Sequence, residues 1–249
     1  MKLSFSGRRA LVLGGSCELA LALAGSLIAG GLYPILTYRS ENGRQRIDEH
    51  LTNNRGNYEA VYFDFAMPDS IDTLFDRIGK ALDYVIDFAQ GDFEGFIAGA
   101  NQDDVTRYVQ ENITFRSRIL KEASRLMLAR KRGRFVFISS TAALRPNQGQ
   151  GFYAAAKLAS EALYRNLGLE LGKRGITAVT LSPGYVSAGR GRSFMEKNEK
   201  EVLRLIPTGK ALSAEEIAAT IMFLLSDGAA GFNATEIIMD GGLTAGKQF

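Results

Sequence analysis

Seven short runs rich in β-branched and aromatic residues recur along this chain, at 10–13, 34–38, 60–65, 84–88, 134–139, 177–182 and 236–239. Longer stretches with apolar residues at helical spacing lie between them, among them 20–29, 71–82, 153–171 and 214–225. A strand re-enters a sheet in parallel only through a crossover of a dozen or more residues, and a helix is the usual crossover. The alternation therefore predicts an α/β fold: a doubly wound, seven-stranded, mainly parallel sheet with helices on both faces. With 249 residues, 46% of them apolar, one core is expected, so residues 1–249 read as a single domain. No apolar run is long enough for a membrane helix, and the start MKLSFSGRRALVLGG runs straight into a strand, so a cytoplasmic location away from membranes is expected. Thirty basic against 27 acidic residues give a net charge of +3, which does not point to nucleic acid. The basic run Arg130, Lys131, Arg132, Arg134 reads as a solvated helix end. Cys17 is the only cysteine and His50 the only histidine, so neither an internal disulfide nor a metal centre is expected.

This rhythm is that of a Rossmann-type sheet, in which ligands bind beyond the carboxyl ends of the strands. The first strand runs into Gly14, Gly15, Ser16, Cys17 and Glu18, and a helix starts near Leu19. Helix N–H groups at such a turn receive a dinucleotide's diphosphate, which makes Gly14, Ser16, Cys17 and Leu19 candidate contacts. Glu18 opposes them, since a carboxylate about 5 Å from a diphosphate costs on the order of a kcal/mol at a surface-like dielectric. The second strand ends at Arg39 and Ser40, with Arg44 close behind. An acidic residue there would hydrogen-bond a free ribose 2′-hydroxyl, whereas guanidinium pairs a 2′-phosphate, so NADP(H) is the expected cofactor.

The densest chemical signal is SSTAALRPNQGQGFYAAAK, which contains Ser140, Tyr153 and Lys157. Residues four apart share a helix face, so the Lys157 ammonium can sit beside the Tyr153 phenol and favour its ionised form. A phenol titrates near pH 10 unperturbed, and each unit of depression is worth about 1.36 kcal/mol. Tyr153 can then act as general acid for carbonyl reduction or general base for alcohol oxidation.

These motifs resemble those of the short-chain dehydrogenase/reductases, nearest to the 3-oxoacyl-[acyl-carrier-protein] reductase branch, from Gly7 to Gly242. The resemblance implies that Ser140 holds the substrate oxygen, that Lys157 also contacts the nicotinamide ribose, and that Asn112 in VQENITF supports a proton relay. It implies further cofactor contacts at Asp64 and Phe65 near the adenine, at Ala89, and at Pro183, Gly184, Val186 and Ser187. The glycine motif TGxxxGxG is degenerate: Leu13, Glu18 and Ala20 replace its threonine and last two glycines. The NNAG motif survives only as Ala89 within Asp87, Phe88, Ala89, Gln90. The threonine expected after Pro183 and Gly184 is missing, with Ser187 one residue early as a substitute. Asp240, Gly241 and Gly242 match a structural turn of the family.

The implied activity is NADPH-dependent reduction of a ketone, a 3-oxoacyl thioester being the first substrate to consider, with Lys131 and Arg174 placed to dock an acidic carrier. A homodimer or homotetramer is implied too. The other class of function left open by Glu18 and the lost asparagines is a catalytically weak or inactive homologue with altered nucleotide binding and a regulatory or mixed-oligomer role. Residues 187–205 read as a substrate lid, with Phe194, Met195 and Leu203 either lining an acyl site or anchoring the lid.

Overall fold

The computed structural model of the chain describes residues 3–246. Its strands are β1 (Arg9–Leu13), β2 (Tyr33–Tyr38), β3 (Glu59–Tyr62), β4 (Tyr84–Asp87), β5 (Gly133–Ile138), β6 (Ile176–Pro183) and β7 (Thr235–Met239). Its helices are α1 (Glu18–Ala29), α2 (Glu41–His50), α3 (Asp69–Ile78), α4 (Gln102–Val109), α5 (Phe115–Arg130), α6 (Gly151–Leu171), α7 (Arg190–Leu205) and α8 (Ala214–Leu225). The strands form one sheet in the order β3-β2-β1-β4-β5-β6-β7, and every pairing is parallel. The order reverses between β1 and β4, which opens the crevice where such sheets take ligands.

Both faces of the sheet are buried, as its continuous apolar strands require. Ala10, Val12, Leu36, Ile86, Val136 and Leu181 point to one side and pack with Leu23, Leu27, Ile217 and Ile221 of α1 and α8. Their strand neighbours Leu11, Leu13, Ile35, Val85, Phe135 and Phe137 point to the other, against Leu74, Ile119, Met127 and Tyr164 of α3, α5 and α6. This two-residue alternation fixes register, because a one-residue slip would swap the two sets.

Helices α4 and α5 are one continuous rod interrupted at Gln110–Thr114 by a π-helical turn. Such turns insert one extra residue and concentrate at functional sites; this one carries Asn112. The segment 187–205, read from sequence as a lid, is largely α7, kinked at Asn198. Met195 and Val202 are buried with Ile206 in a separate apolar cluster that includes Tyr185 and Leu203, so these residues anchor the segment. Phe194 stacks on Tyr185 at 5.8 Å while remaining partly exposed. His50 is exposed in the last turn of α2.

The basic run after α5 is more organised than a solvated helix end. Asp83, buried just before β4, accepts the backbone N–H groups of Arg8 (2.8 Å) and Arg9 (3.1 Å). Its other oxygen faces Arg130 at 3.3 Å and Arg132 at 3.1 Å. Burial raises the carboxyl's pKa, but the two N–H groups and the two guanidinium charges outweigh it and hold the net value below the ordinary one. A depressed carboxyl contributes stability above its unfolded pKa, about 3.9, and loses it as pH falls through the lower folded value. Asp83→Asn is expected to cost about 1.5–3 kcal/mol at pH 7. Urea midpoints measured from pH 7 to pH 3 should show the gap to wild type narrowing below about pH 4.

Candidate active site

Tyr153 and Lys157 lie one turn apart at the start of α6. The Lys157 ammonium is buried, donates to the carbonyl of Ile138 at the end of β5 (2.7 Å), and sits 4.9 Å from the centre of the Phe137 ring. The centre of the Tyr153 ring is 5.7 Å from the same nitrogen. The strand end thus fixes the cation and helical spacing brings the half-buried phenol to it. Ser140 follows β5 by two residues, and its hydroxyl accepts the N–H of Ala142 (3.1 Å), closing a short turn at Thr141–Ala143 that packs on α6. A hydroxyl that accepts in this way keeps its own proton for another oxygen. Ser140, Tyr153 and Lys157 therefore gather at the carboxyl end of β5, beside the topological switch point.

Asn112 is fully buried in the π-helical turn and committed to structure. Its Oδ1 accepts from Gln90 Nε2 and from the Gly91 N–H, both at 3.0 Å, and its Nδ2 donates to the Tyr108 carbonyl (2.9 Å). Its own carbonyl accepts from the guanidinium of Arg116.

Arg116 was not singled out from sequence, and it organises this region. It is fully buried, and its Nε donates to Asp87 Oδ2 (2.8 Å), an ion pair with both side chains sealed from solvent. The same guanidinium donates to the Ala89 carbonyl and, at 3.1 Å, to Ser160 of α6. Asp87 also accepts from Tyr164 of α6 (2.8 Å) and from the Ala89 N–H (2.9 Å). Burial lowers the Arg116 pKa, but the Asp87 charge and hydrogen bond, with smaller contributions from Tyr164 and Tyr108, together outweigh it and the net value is raised; burial and the Asp87 charge both push the Tyr164 phenol well up. Asp87 and Arg116 thus tie the end of β4 to α5 and α6 as a charged pair.

At the nucleotide end, Gly14 turns at φ +70°, and a Cβ there would meet the Ala89 backbone N at 3.0 Å. Its N–H donates to Thr37 Oγ1 (2.9 Å), which pins the turn onto β2. Cys17 precedes α1 without a side-chain cap bond, so the Glu18 and Leu19 N–H groups have no intrahelical acceptor. Ser16 lies against Gly43. Ser40 caps α2 by accepting the Gly43 N–H (3.2 Å), and Arg44 is paired with Asp48 at 2.7 Å. Arg39 is exposed and makes no hydrogen bond or ion pair among the described residues. Asp64 accepts the Ala66 N–H (3.0 Å), beside Phe65. Burial and then the charge of Asp64 raise the Glu111 carboxyl, with Arg107 and Arg39 opposing. Past β6, Gly184 donates to the Met239 carbonyl and Val186 pairs with Leu212. The Ser187 hydroxyl donates to the Leu212 carbonyl (3.1 Å). Lys131 and Arg174 precede β5 and β6, at the opposite end of the sheet from Ser140.

The site is that of a doubly wound oxidoreductase, and its donor set fits a nicotinamide dinucleotide: a tight glycine turn, a helix start without a side-chain cap, an exposed arginine at the β2 end and a buried lysine beside a tyrosine. A family model described as enoyl-(acyl carrier protein) reductase matches residues 17–244. The chain belongs to this family of short-chain dehydrogenase/reductases, oxidoreductases that use NAD(P). It is 29% identical over 245 residues to the 3-oxoacyl-[acyl-carrier-protein] reductases of Salmonella typhimurium and Escherichia coli, covering 97% of this chain and 99% of each of theirs. The protein of that name from Pseudomonas aeruginosa is 30% identical over 244 residues, with the same coverage. A gluconate 5-dehydrogenase from Burkholderia cenocepacia, solved with NADP and tartrate, shares the fold at a TM-score of 0.87 and 23% identity, over 99% of this chain and 98% of that one. No helix among the described residues is long and apolar enough to cross a membrane.

Removing one partner of a sealed ion pair strands the other charge in the interior. Arg116→Met is expected to cost about 3–5 kcal/mol in urea unfolding, with a fall in Tm of roughly 2–4 °C per kcal/mol for a domain of this size. A loss below about 1 kcal/mol would mean that water reaches Asp87.

Proposed function

We propose that the protein reduces a ketone to a secondary alcohol with NADPH, and that the ketone is a 3-oxoacyl thioester. The observation that carries this reading is the buried Lys157, fixed to the end of β5 with the Tyr153 ring beside it and Ser140 at the same strand end. A bound reduced nicotinamide supplies the hydride. Ser140 donates a hydrogen bond to the carbonyl oxygen and orients it. Tyr153 gives its proton to that oxygen, and the Lys157 ammonium stabilises the phenolate left behind. Lys157 retains donors beyond the one held by Ile138, which suit it to the ribose hydroxyls as well.

The unpaired Arg39 at the end of β2 supports NADPH over NADH, and the names borne by the relatives support the substrate class. A weaker, nucleotide-poor homologue is the reading that Glu18 favours, because it sets a carboxylate at the start of α1. Against it stand the three catalytic groups, whose arrangement no packing demand explains.

Tyr153→Phe is expected to lower the oxidation of NADPH by a 3-oxoacyl thioester by at least about 10²-fold. Cofactor affinity, followed by NADPH fluorescence, should stay unchanged; retained turnover would remove Tyr153 as proton donor. Arg39→Ala is expected to weaken NADPH by roughly 10- to 100-fold, as loss of a charge-assisted hydrogen bond implies, while leaving NADH nearly unaffected. Equal losses in the two titrations would remove the 2′-phosphate assignment.

A further inference from the structure

Glu18 does not point along its own helix start and does not dissolve into solvent. One carboxylate oxygen accepts the N–H of Gly189 at 2.8 Å, and the other pairs with the guanidinium of Arg192, 174 residues further on. Glu18 belongs to the first turn after β1, whereas Gly189 and Arg192 belong to the segment after β6. In the sheet β4 and β5 lie between those two strands. The contact therefore spans three strand spacings, roughly 14 Å, across the carboxyl end where ligands of such sheets lie.

The segment is built to make this reach. Gly189 holds φ +58° and ψ −133°, a backbone state essentially reserved for glycine. A Cβ at Gly191 would fall 2.2 Å from the Val186 carbonyl oxygen, so the start of α7 is pressed onto the strand-like stretch before it. The donors brought together are the Gly189 N–H, the Arg192 guanidinium and the uncapped first amides of α1. The Glu18 carboxylate accepts from the first two of these. Without it the set is a site for a polyanion.

We infer that Glu18 is a tethered competitor for the dinucleotide's diphosphate, holding Arg192 across the cleft until the diphosphate takes that guanidinium over. Arg192 and the Gly189 N–H thereby become diphosphate ligands supplied by the segment after β6. Both side chains are partly exposed, at 34% for Glu18 and 53% for Arg192, and exposed pairs are weak enough to exchange partners. The diphosphate brings more charge than one carboxylate and meets the helix amides as well. No bond is made or broken: one charged hydrogen-bonded pair replaces another. This inference rests on the cofactor reading given above.

The test uses the intact protein in three forms, wild type, Glu18→Gln and Arg192→Met. Each is titrated with NADPH by fluorescence, and amide hydrogen exchange over 187–205 is followed without nucleotide. Both substitutions break the pair, so both are expected to speed exchange in that segment. Their affinities should part: Glu18→Gln binds NADPH about tenfold tighter than wild type and Arg192→Met about tenfold weaker. Inorganic pyrophosphate should compete with NADPH more effectively on Glu18→Gln than on wild type. If NADPH binds wild type but the two variants shift affinity together, or not at all, the pair is a surface contact only and the inference falls while the cofactor reading stands. If none of the three binds at millimolar NADPH, both fall.

Discussion

The sealed Asp87–Arg116 pair is the constraint on which the site's geometry rests. An uncompensated charge at 0% exposure is prohibitively costly, so each member must be fully hydrogen-bonded. Satisfying them draws in Tyr164 and Ser160 from α6, the Asn112 carbonyl from the π-helical turn and both backbone groups of Ala89 after β4. Those groups come from three elements, and the pair ties α6 to the other two, which Asn112 already joins through Gln90 and Gly91. Helix α6 also carries Tyr153 and Lys157, so a charge that never meets solvent helps to set the register of that helix against the sheet. Phe137 lies against both buried cations, at 5.4 Å from Arg116 and 4.9 Å from Lys157, and links the structural centre to the chemical one.

The second constraint is the crossover rule. A parallel sheet covered on both faces needs strands that are apolar on both sides, and that demand writes itself into sequence as short unbroken apolar runs. The seven strands, their helices and the turn at Gly14 were legible for that reason. Ser140, Tyr153 and Lys157 were legible because helix spacing and a strand end fix their relations locally. Arg116 was not. In FRSRILKEASR the arginines at 116, 118 and 125 look alike, and which of them turns inward depends on a carboxylate 29 residues away. One signal was available: Asp87 ends a strand whose every residue is buried, and such an acid needs a cation somewhere. Arg130 and Arg132 hid in the same way, since their partner Asp83 lies before another strand. The π-helical turn also escaped, because it breaks the helical period by a single residue.

Departures from a motif read as losses when counted one position at a time. Here two of them are exchanges in which an arginine accompanies a new carboxylate: Asp87 with Arg116 in the interior, Glu18 with Arg192 at the cleft. Their physical standing differs. Asp87 could not be buried without its partner, so folding alone accounts for that pair. Glu18, a third exposed, would be tolerated unpaired at a helix start, where the dipole already favours an acid. Stability therefore does not demand that a segment from the far side of the sheet carry a guanidinium and a strained glycine amide to it. The cleft is where that contact has consequences, since it sets an anion and its counter-ion across the path of any dinucleotide that lies along the strand ends.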